Sequence, residues 1–405
     1  MRAYERLITY VKVHTASAED VEQTPTTARQ FDLSRLLARE MRQMGLQDVY
    51  EDEHAYVYGV LPASPGCEEL PCVGLIAHID TIPDFSGENV KPQLIENYNG
   101  GDVVLGSSGR VLRVEKFPHL KTLKGHTLIT TDGTTVLGAD DKAGVAEILT
   151  ACERVIGEKR PHGRIAVCFT PDEEVGHGAA LLDIERLGAD FAFTADGGEL
   201  CEINYETFNA AGAVWEIKGF NVHPGSAKDT MINACLVAME INAMLPAGDQ
   251  PAHTENYEGF FHLTDMRGDV AHAVLHYIIR DHDAAAFQLR KDMMRHVEKC
   301  INEKYGAGTA SLTIRDQYRN MAEKLEERME IVELARNAIA KAGLEPTAMP
   351  VRGGTDGSQL SFRGLLCPNI GTGGYSFHGP YEHISAENMD KAVEIILNII
   401  DGIVG

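Results

Sequence analysis

The chain has 405 residues, and its 60 acidic against 37 basic side chains leave a formal charge of −23. At about 150 residues per domain, this length predicts two or three domains. The 44% hydrophobic and 24% charged fractions are those of a globular protein with a substantial core, which excludes disordered and fibrous classes. So acidic a chain repels phosphate backbones and anionic lipid heads, and no Lys/Arg run offsets this locally, so neither nucleic acid nor a membrane surface is an expected partner.

The eight cysteines are scattered, without a C-x-x-C pair, as in a reducing compartment. The opening MRAYERLITYVKV is interrupted by Arg2, Glu5, Arg6 and Lys12, and no 18-residue apolar run follows anywhere, so a cytoplasmic protein is expected.

In chain order, Leu33, Leu36, Leu37, Met41 and Met44 form one helical stripe over 33–44, with Gly45 as the stop. Short apolar runs follow at 55–61, 73–79, 164–170 and 190–195, with a helical stretch at 141–156 between two of them. Runs of about six residues alternating with helices predict buried strands of an α/β sheet. From about residue 207 the pattern changes: AVWEIKG alternates, a helix is expected near 229–244, AVLHYIIR spans 273–280, a charged helix follows Asp283, and SLTIRDQY alternates again. This predicts an antiparallel α+β unit over 207–317 inserted between two parts of a catalytic domain, 1–206 and 318–405. The terminal VEIILNIIDGIV has the apolar spacing of a packed helix.

Ligands of open α/β sheets collect at the carboxyl ends of strands. Four apolar runs end in ligand-type residues: His78 and Asp80; Asp140 and Asp141; Glu173 and Glu174; and Asp196. His378 lies in the late Gly-rich stretch GTGGYSFHG. Each alone has a commoner structural use, as a core histidine, a helix cap or a solvated first turn. Their coincidence points elsewhere, because several carboxylates gathered in a small volume repel one another and resist desolvation unless cations neutralise them. Two zinc ions held by His78, Asp140, Asp196, Glu174 and His378, with Asp140 bridging, leave one surplus positive charge. A bridging hydroxide cancels that charge and supplies the nucleophile. Asp80 lies on the same side of an extended chain as His78 and can hold that imidazole's second nitrogen, while Glu173 is placed to move the proton.

The segments GLIAHIDTIPD, TTVLGADDKAGVAEI, FTPDEEVG, TADGG, NVHPGSAK, IIRD, RGGTDGSQLS and GTGGYSFHG, taken in order, resemble the tripeptide aminopeptidase branch of the dizinc peptidase, aminoacylase and carboxypeptidase superfamily. The resemblance runs through nearly the whole chain. It implies a zinc-exopeptidase-like catalytic domain, with a mixed sheet flanked by helices, and a smaller inserted α+β lid that dimerises. It implies two Zn²⁺ per subunit, replaceable by Co²⁺ or Mn²⁺: His78, Asp140 and Asp196 on one, Asp140, Glu174 and His378 on the other. Asp80 becomes the partner of His78, Glu173 the general base, and the bond after Asp140 a cis peptide.

The same resemblance gives the substrate-binding residues. His223, which spacing alone reads as a turn, steadies the oxyanion in a neighbouring subunit's site; Arg280, which could equally pair with Asp281 or Asp283, grips the substrate carboxylate; and Arg352 begins a substrate-binding loop. The implied activity is removal of the N-terminal residue of tripeptides by a homodimer acting on small peptides. Alternatives are a dipeptidase, carboxypeptidase or N-acyl amino acid deacylase of the same superfamily, or a non-catalytic metal-dependent binding protein. After His378 the chain reads G-P-Y-E-H, where Pro380 departs from the family pattern and leaves contacts beyond the ligand open. No G-x-S-x-G, H-E-x-x-H or G-x-x-x-x-G-K motif offers another chemistry.

Overall fold

The computed structural model describes residues 1–106 and 108–405. The chain divides into two compact units: Met1–Tyr205 with Glu323–Met349 and Thr355–Gly405, and Glu206–Ala322 with Pro350–Gly354.

The first unit is built on an eight-stranded mixed sheet. Its order is Gln47–Glu51, Val57–Leu61, Ile165–Thr170, Val73–His78, Phe191–Gly197, Asn369–Gly371, Glu202–Asn204 and Thr347–Ala348. The strands Ile165–Thr170, Val73–His78, Phe191–Gly197 and Asn369–Gly371 run parallel to their neighbours in that order. All six residues of both Val73–His78 and Ile165–Thr170 are buried, the reason these runs are continuously apolar rather than alternating.

The helix Ala139–Glu158 packs on Val73–His78 and Phe191–Gly197. Its approach is so close that a Cβ at Gly144 would lie 2.0 Å from the Ala195 carbonyl oxygen. Any larger residue there would push the start of the helix, and Asp140 with it, off the sheet. Helix Gln30–Met44 ends at Gly45, whose φ of 94° is the left-handed stop expected of a glycine. The final helix, Ala386–Val404, is capped by Ser385, which accepts from the Asn388 N–H.

A second, four-stranded sheet in this unit has the order Gly374–Tyr375, His383–Ser385, Leu128–Thr130 and Gln93–Ile95. It brings the late Gly-rich segment beside the residues that lead into Asp140.

The second unit is an antiparallel sheet in the order Phe260–Gly268, His272–Asp281, Asn209–Lys218, Ala310–Tyr318. Alternation is clear in Asn209–Lys218, where Ala211, Ala213, Trp215 and Ile217 enter a core shared with Val237, Ile241, Met294 and Ile301 of the helices Ala234–Met244 and Ala284–Tyr305. The first of these helices begins later than the expected 229, because the Asn233 side chain accepts from the Cys235 and Leu236 N–H groups and fixes the start there. Asp283 caps the second through the Ala286 N–H. Among the described residues, no helix is long and apolar enough to cross a membrane.

Candidate metal centre

Five chain segments of the first unit deliver polar residues to the carboxyl ends of the central strands of the large sheet. His78 closes the strand Val73–His78, in register with Thr170 of its parallel neighbour. Just beyond Thr170, Asp172 adopts a left-handed conformation (φ 57°) and opens the short turn Glu173–Val175. Three donors hold it: the Thr26 N–H at 2.8 Å, the Thr26 hydroxyl at 2.6 Å and Gln30 Nε2 at 2.6 Å. Asp196 lies near the end of Phe191–Gly197, and Asp140 lies at the start of the helix packed over that strand. His378, also left-handed (φ 64°), comes from the loop between Gly374–Tyr375 and His383–Ser385.

The side chains meet. Asp140 sits between two imidazoles, its Oδ1 3.0 Å from His78 Nε2 and its Oδ2 3.0 Å from His378 Nε2. His378 Nε2 is also 3.1 Å from Glu174 Oε2, and His78 Nε2 faces Asp196 Oδ1 at 3.7 Å, too long for a hydrogen bond. Two groups of three lie within ligand distance of one another, His78 with Asp141 and Asp196 and His78 with Asp140 and Glu174, while His378 joins the cluster through Asp140 and Glu174; the bond from Asp140 to Asp141 is cis.

Asp141 also lies within ligand distance of His78 and Asp196. Its Oδ2, however, accepts the His78 backbone N–H at 3.0 Å and its Oδ1 the Gly144 N–H at 3.3 Å. Both Asp140 oxygens face imidazoles instead, so Asp140 is the better ligand and Asp141 holds backbone.

Asp80 does more than its spacing suggested. His78 Nδ1 lies 3.2 Å from the Asp80 carbonyl oxygen and 3.3 Å from its Oδ1, so Asp80 offers this nitrogen two acceptors and holds the ring with Nε2 toward Asp140. The same carboxylate accepts the N–H groups of Glu173 (3.0 Å) and Glu174 (3.2 Å), tying the first imidazole to the turn that bears the two glutamates.

The electrostatics are those of a cluster short of positive charge. Burial pushes the carboxyls of Glu173, Glu174 and Asp196 up, toward the neutral form. Burial acts on Asp140 in the same direction, but the hydrogen bonds to His378 and His78 overcome it and hold this carboxyl well below the usual range. The reciprocal hydrogen bonds to Asp140 and Glu174 push the His378 imidazole up to about 11. Imidazole and carboxylate donors in two sets of this size fit divalent ions of the zinc, cobalt or manganese type, and two such ions supply the charge the cluster lacks.

Three further residues singled out in the sequence belong to the second unit. His223 is exposed, and its Nδ1 accepts from the Gly225 N–H at 3.1 Å. Arg280 donates to the carbonyls of Ala211 (3.2 Å) and Ile279 (3.0 Å) and lies over the Tyr318 ring, with burial lowering its pKa. Arg352 donates to the carbonyls of Asn256 and Glu258 and to Thr254 Oγ1, each at 2.8 Å, and lies over the rings of Phe208 and Phe260.

Two carboxylates without a role in the sequence reading are built into the first unit. Asp356 accepts from Thr170 Oγ1 at 2.9 Å, and burial pushes it up to about 7. Gly178 lies against it, since a Cβ there would sit 2.4 Å from both its oxygens. Glu382 points at the segment around Asp140. Its one sequence signal is an acidic residue four positions after His378.

Comparison with known proteins gives the family. Residues 133–402 match the model of peptidase family M20/M25/M40. The chain is 51% identical over 400 residues to peptidase T of Alkaliphilus oremlandii, covering 98% of each chain. In fold it is similar to the crystal structure of aminopeptidase PepT from Bacillus cereus, with a TM-score of 0.80 at 22% identity over 100% of this chain and 98% of the other. It is also similar to a dinuclear metal-binding peptidase of family M20 from Bacillus subtilis, with a TM-score of 0.66 at 15% identity over 99% and 98%. The chain therefore belongs to peptidase family M20/M25/M40, in the branch of the relatives called peptidase T, and is a metallopeptidase.

Proposed function

We propose that the protein is a two-metal aminopeptidase that removes the N-terminal residue of tripeptides. The observation that carries this reading is Asp140 with one oxygen toward the Nε2 of each of two imidazoles, and a further carboxylate, Asp196 or Glu174, facing the same Nε2. Support comes from the relatives: one is called an aminopeptidase, and another is described as binding two metals.

His78, Asp140 and Asp196 would hold one ion, and Asp140, Glu174 and His378 the other. When bound, two divalent ions polarise the scissile carbonyl and ready a water for attack, with zinc the expected metal and Co²⁺ or Mn²⁺ able to replace it. Glu173 is not a ligand in this reading. Raised by burial and by the Asp196 charge, its carboxyl is suited to take a proton from that water and return it to the departing amine. Asp80 fixes the His78 tautomer and the backbone of the Glu173–Glu174 turn together, so ligand and base keep one relative position.

In the second unit, which this reading takes as the lid and dimerisation domain, Arg280 and Arg352 bind the peptide and His223 serves the partner subunit's site. The assembly is then a homodimer, placed in the cytoplasm. Turnover of a free tripeptide with added Zn²⁺, Co²⁺ or Mn²⁺, but not of its N-acetylated form, is the expected result. Equal cleavage of both forms would replace this reading with a deacylase or carboxypeptidase, and no cleavage of either would leave a binding protein.

A further inference from the structure

The two ligand sets of that reading draw on distant parts of the chain: Asp140 lies at the start of the helix Ala139–Glu158, just after Gly138, whereas His378 comes from the loop 376–382. One side chain connects these stretches. Glu382 is only 1% exposed, and both its oxygens point at backbone N–H groups of the other stretch. Its Oε2 accepts from Leu137 at 2.7 Å and from Gly138 at 2.8 Å, and its Oε1 accepts from Asp140 at 3.0 Å.

The backbone is shaped for this. Gly138 has a φ of 76°, in the left-handed region, and the turn it makes directs the three N–H groups to one point at the start of the helix Ala139–Glu158. On the other side, Glu382 immediately precedes the strand His383–Ser385, whose His383 pairs with Thr130. The residue just before this paired strand thus reaches, by its side chain, the backbone of 137–140 beyond the end of the partner strand. Three N–H groups on one buried carboxylate form a stiff, charge-assisted anchor, and both oxygens are occupied by it, so Glu382 is not itself a ligand.

We propose that Glu382 is a positioning residue that sets the separation between Asp140 and His378, and so the second metal site, without touching either ion. The inference rests on the two-metal reading above. In Glu382→Gln an NH₂ replaces one oxygen and must face at least one of the three N–H groups, so a donor opposes a donor.

The test is zinc affinity, measured by chelator competition on the full-length protein. Wild type should bind two ions, and Glu382→Gln should hold the weaker one about tenfold to a hundredfold less tightly, the range seen when groups that orient metal ligands are removed. Glu382→Asp, which keeps the charge but shortens the reach, should fall between them. Two ions held as tightly by Glu382→Gln as by wild type, whatever happens to its thermal midpoint, would overturn the inference and leave the two-metal reading intact. Wild type that binds no zinc would overturn both.

Should Glu382→Gln fail to fold, hydrogen exchange on wild type decides the matter. Zinc should slow exchange in 137–142 and 376–384 in step, and protection of one stretch without the other would overturn the inference.

Discussion

In the second unit Arg290 lies between two carboxylates, 2.5 Å from Asp249 and 2.7 Å from Asp281, and the buried Lys291 reaches Asp316 at 2.9 Å. In the first unit Asp140, Glu174 and Asp196 converge with two histidines, and among the described residues no Lys or Arg forms an ion pair with any of the three. The first unit can pair buried charge too, since its Arg6 meets Glu40 at 2.7 Å and Glu153 at 3.1 Å, yet to this cluster it brings neither Lys nor Arg. Since a buried charge must be paired or neutralised, the lesson is that the cluster leaves that task to its two imidazoles and to cations from outside.

The largest expected effect separates ligand from base within the unbalanced region. Glu173→Ala should keep two bound ions by elemental analysis and lose about 10³-fold to 10⁴-fold in kcat. Turnover close to wild type would remove Glu173 from the mechanism.

The balanced region should respond in stability rather than chemistry. Arg290→Met leaves Asp281, which is only 6% exposed, without its partner and should cost about 3 kcal/mol in denaturant unfolding, with zinc stoichiometry unchanged. A loss of zinc in that variant would mean that the contrast between the units is misdrawn.

The smallest effect concerns Glu147, a carboxyl buried in the helix Ala139–Glu158 with no hydrogen-bond partner for either oxygen among the described residues. Burial raises it well above the usual carboxyl range. The folded chain therefore keeps a proton there that the unfolded chain releases above about pH 4.3, and folding stability falls as pH rises from that value toward the folded one. Glu147→Gln removes this dependence, so its stability advantage over wild type should grow between pH 5 and 8. A constant difference across that range would show that the carboxyl is neutralised by something else.

The sequence made some of this legible and hid the rest for physical reasons. The runs ending at His78 and Thr170 could be read because strands buried on both faces are continuously apolar, and the ligands could be read because they follow those runs directly. The strand Phe260–Gly268 was not read: it lies at the edge of its sheet, is mostly exposed after Phe261, and has no clear period. The four-stranded sheet beside the site consists of strands of two or three residues, too short for any pattern.

Glu382 was illegible for a different reason. Its partners are backbone N–H groups, which carry no letter in the sequence, and only the turn at Gly138 aims them at a common point. Arg352 is similar, since a sequence can propose an arginine for a substrate but does not show that Asn256, Glu258 and Thr254 hold its guanidinium in place.

The most direct test of the account is anomalous diffraction at the zinc edge from crystals of the zinc-loaded protein. It should show two peaks about 3.5–4 Å apart, one among His78, Asp140 and Asp196 and one among Asp140, Glu174 and His378. No peak within this cluster, or ions bound only elsewhere, would contradict it.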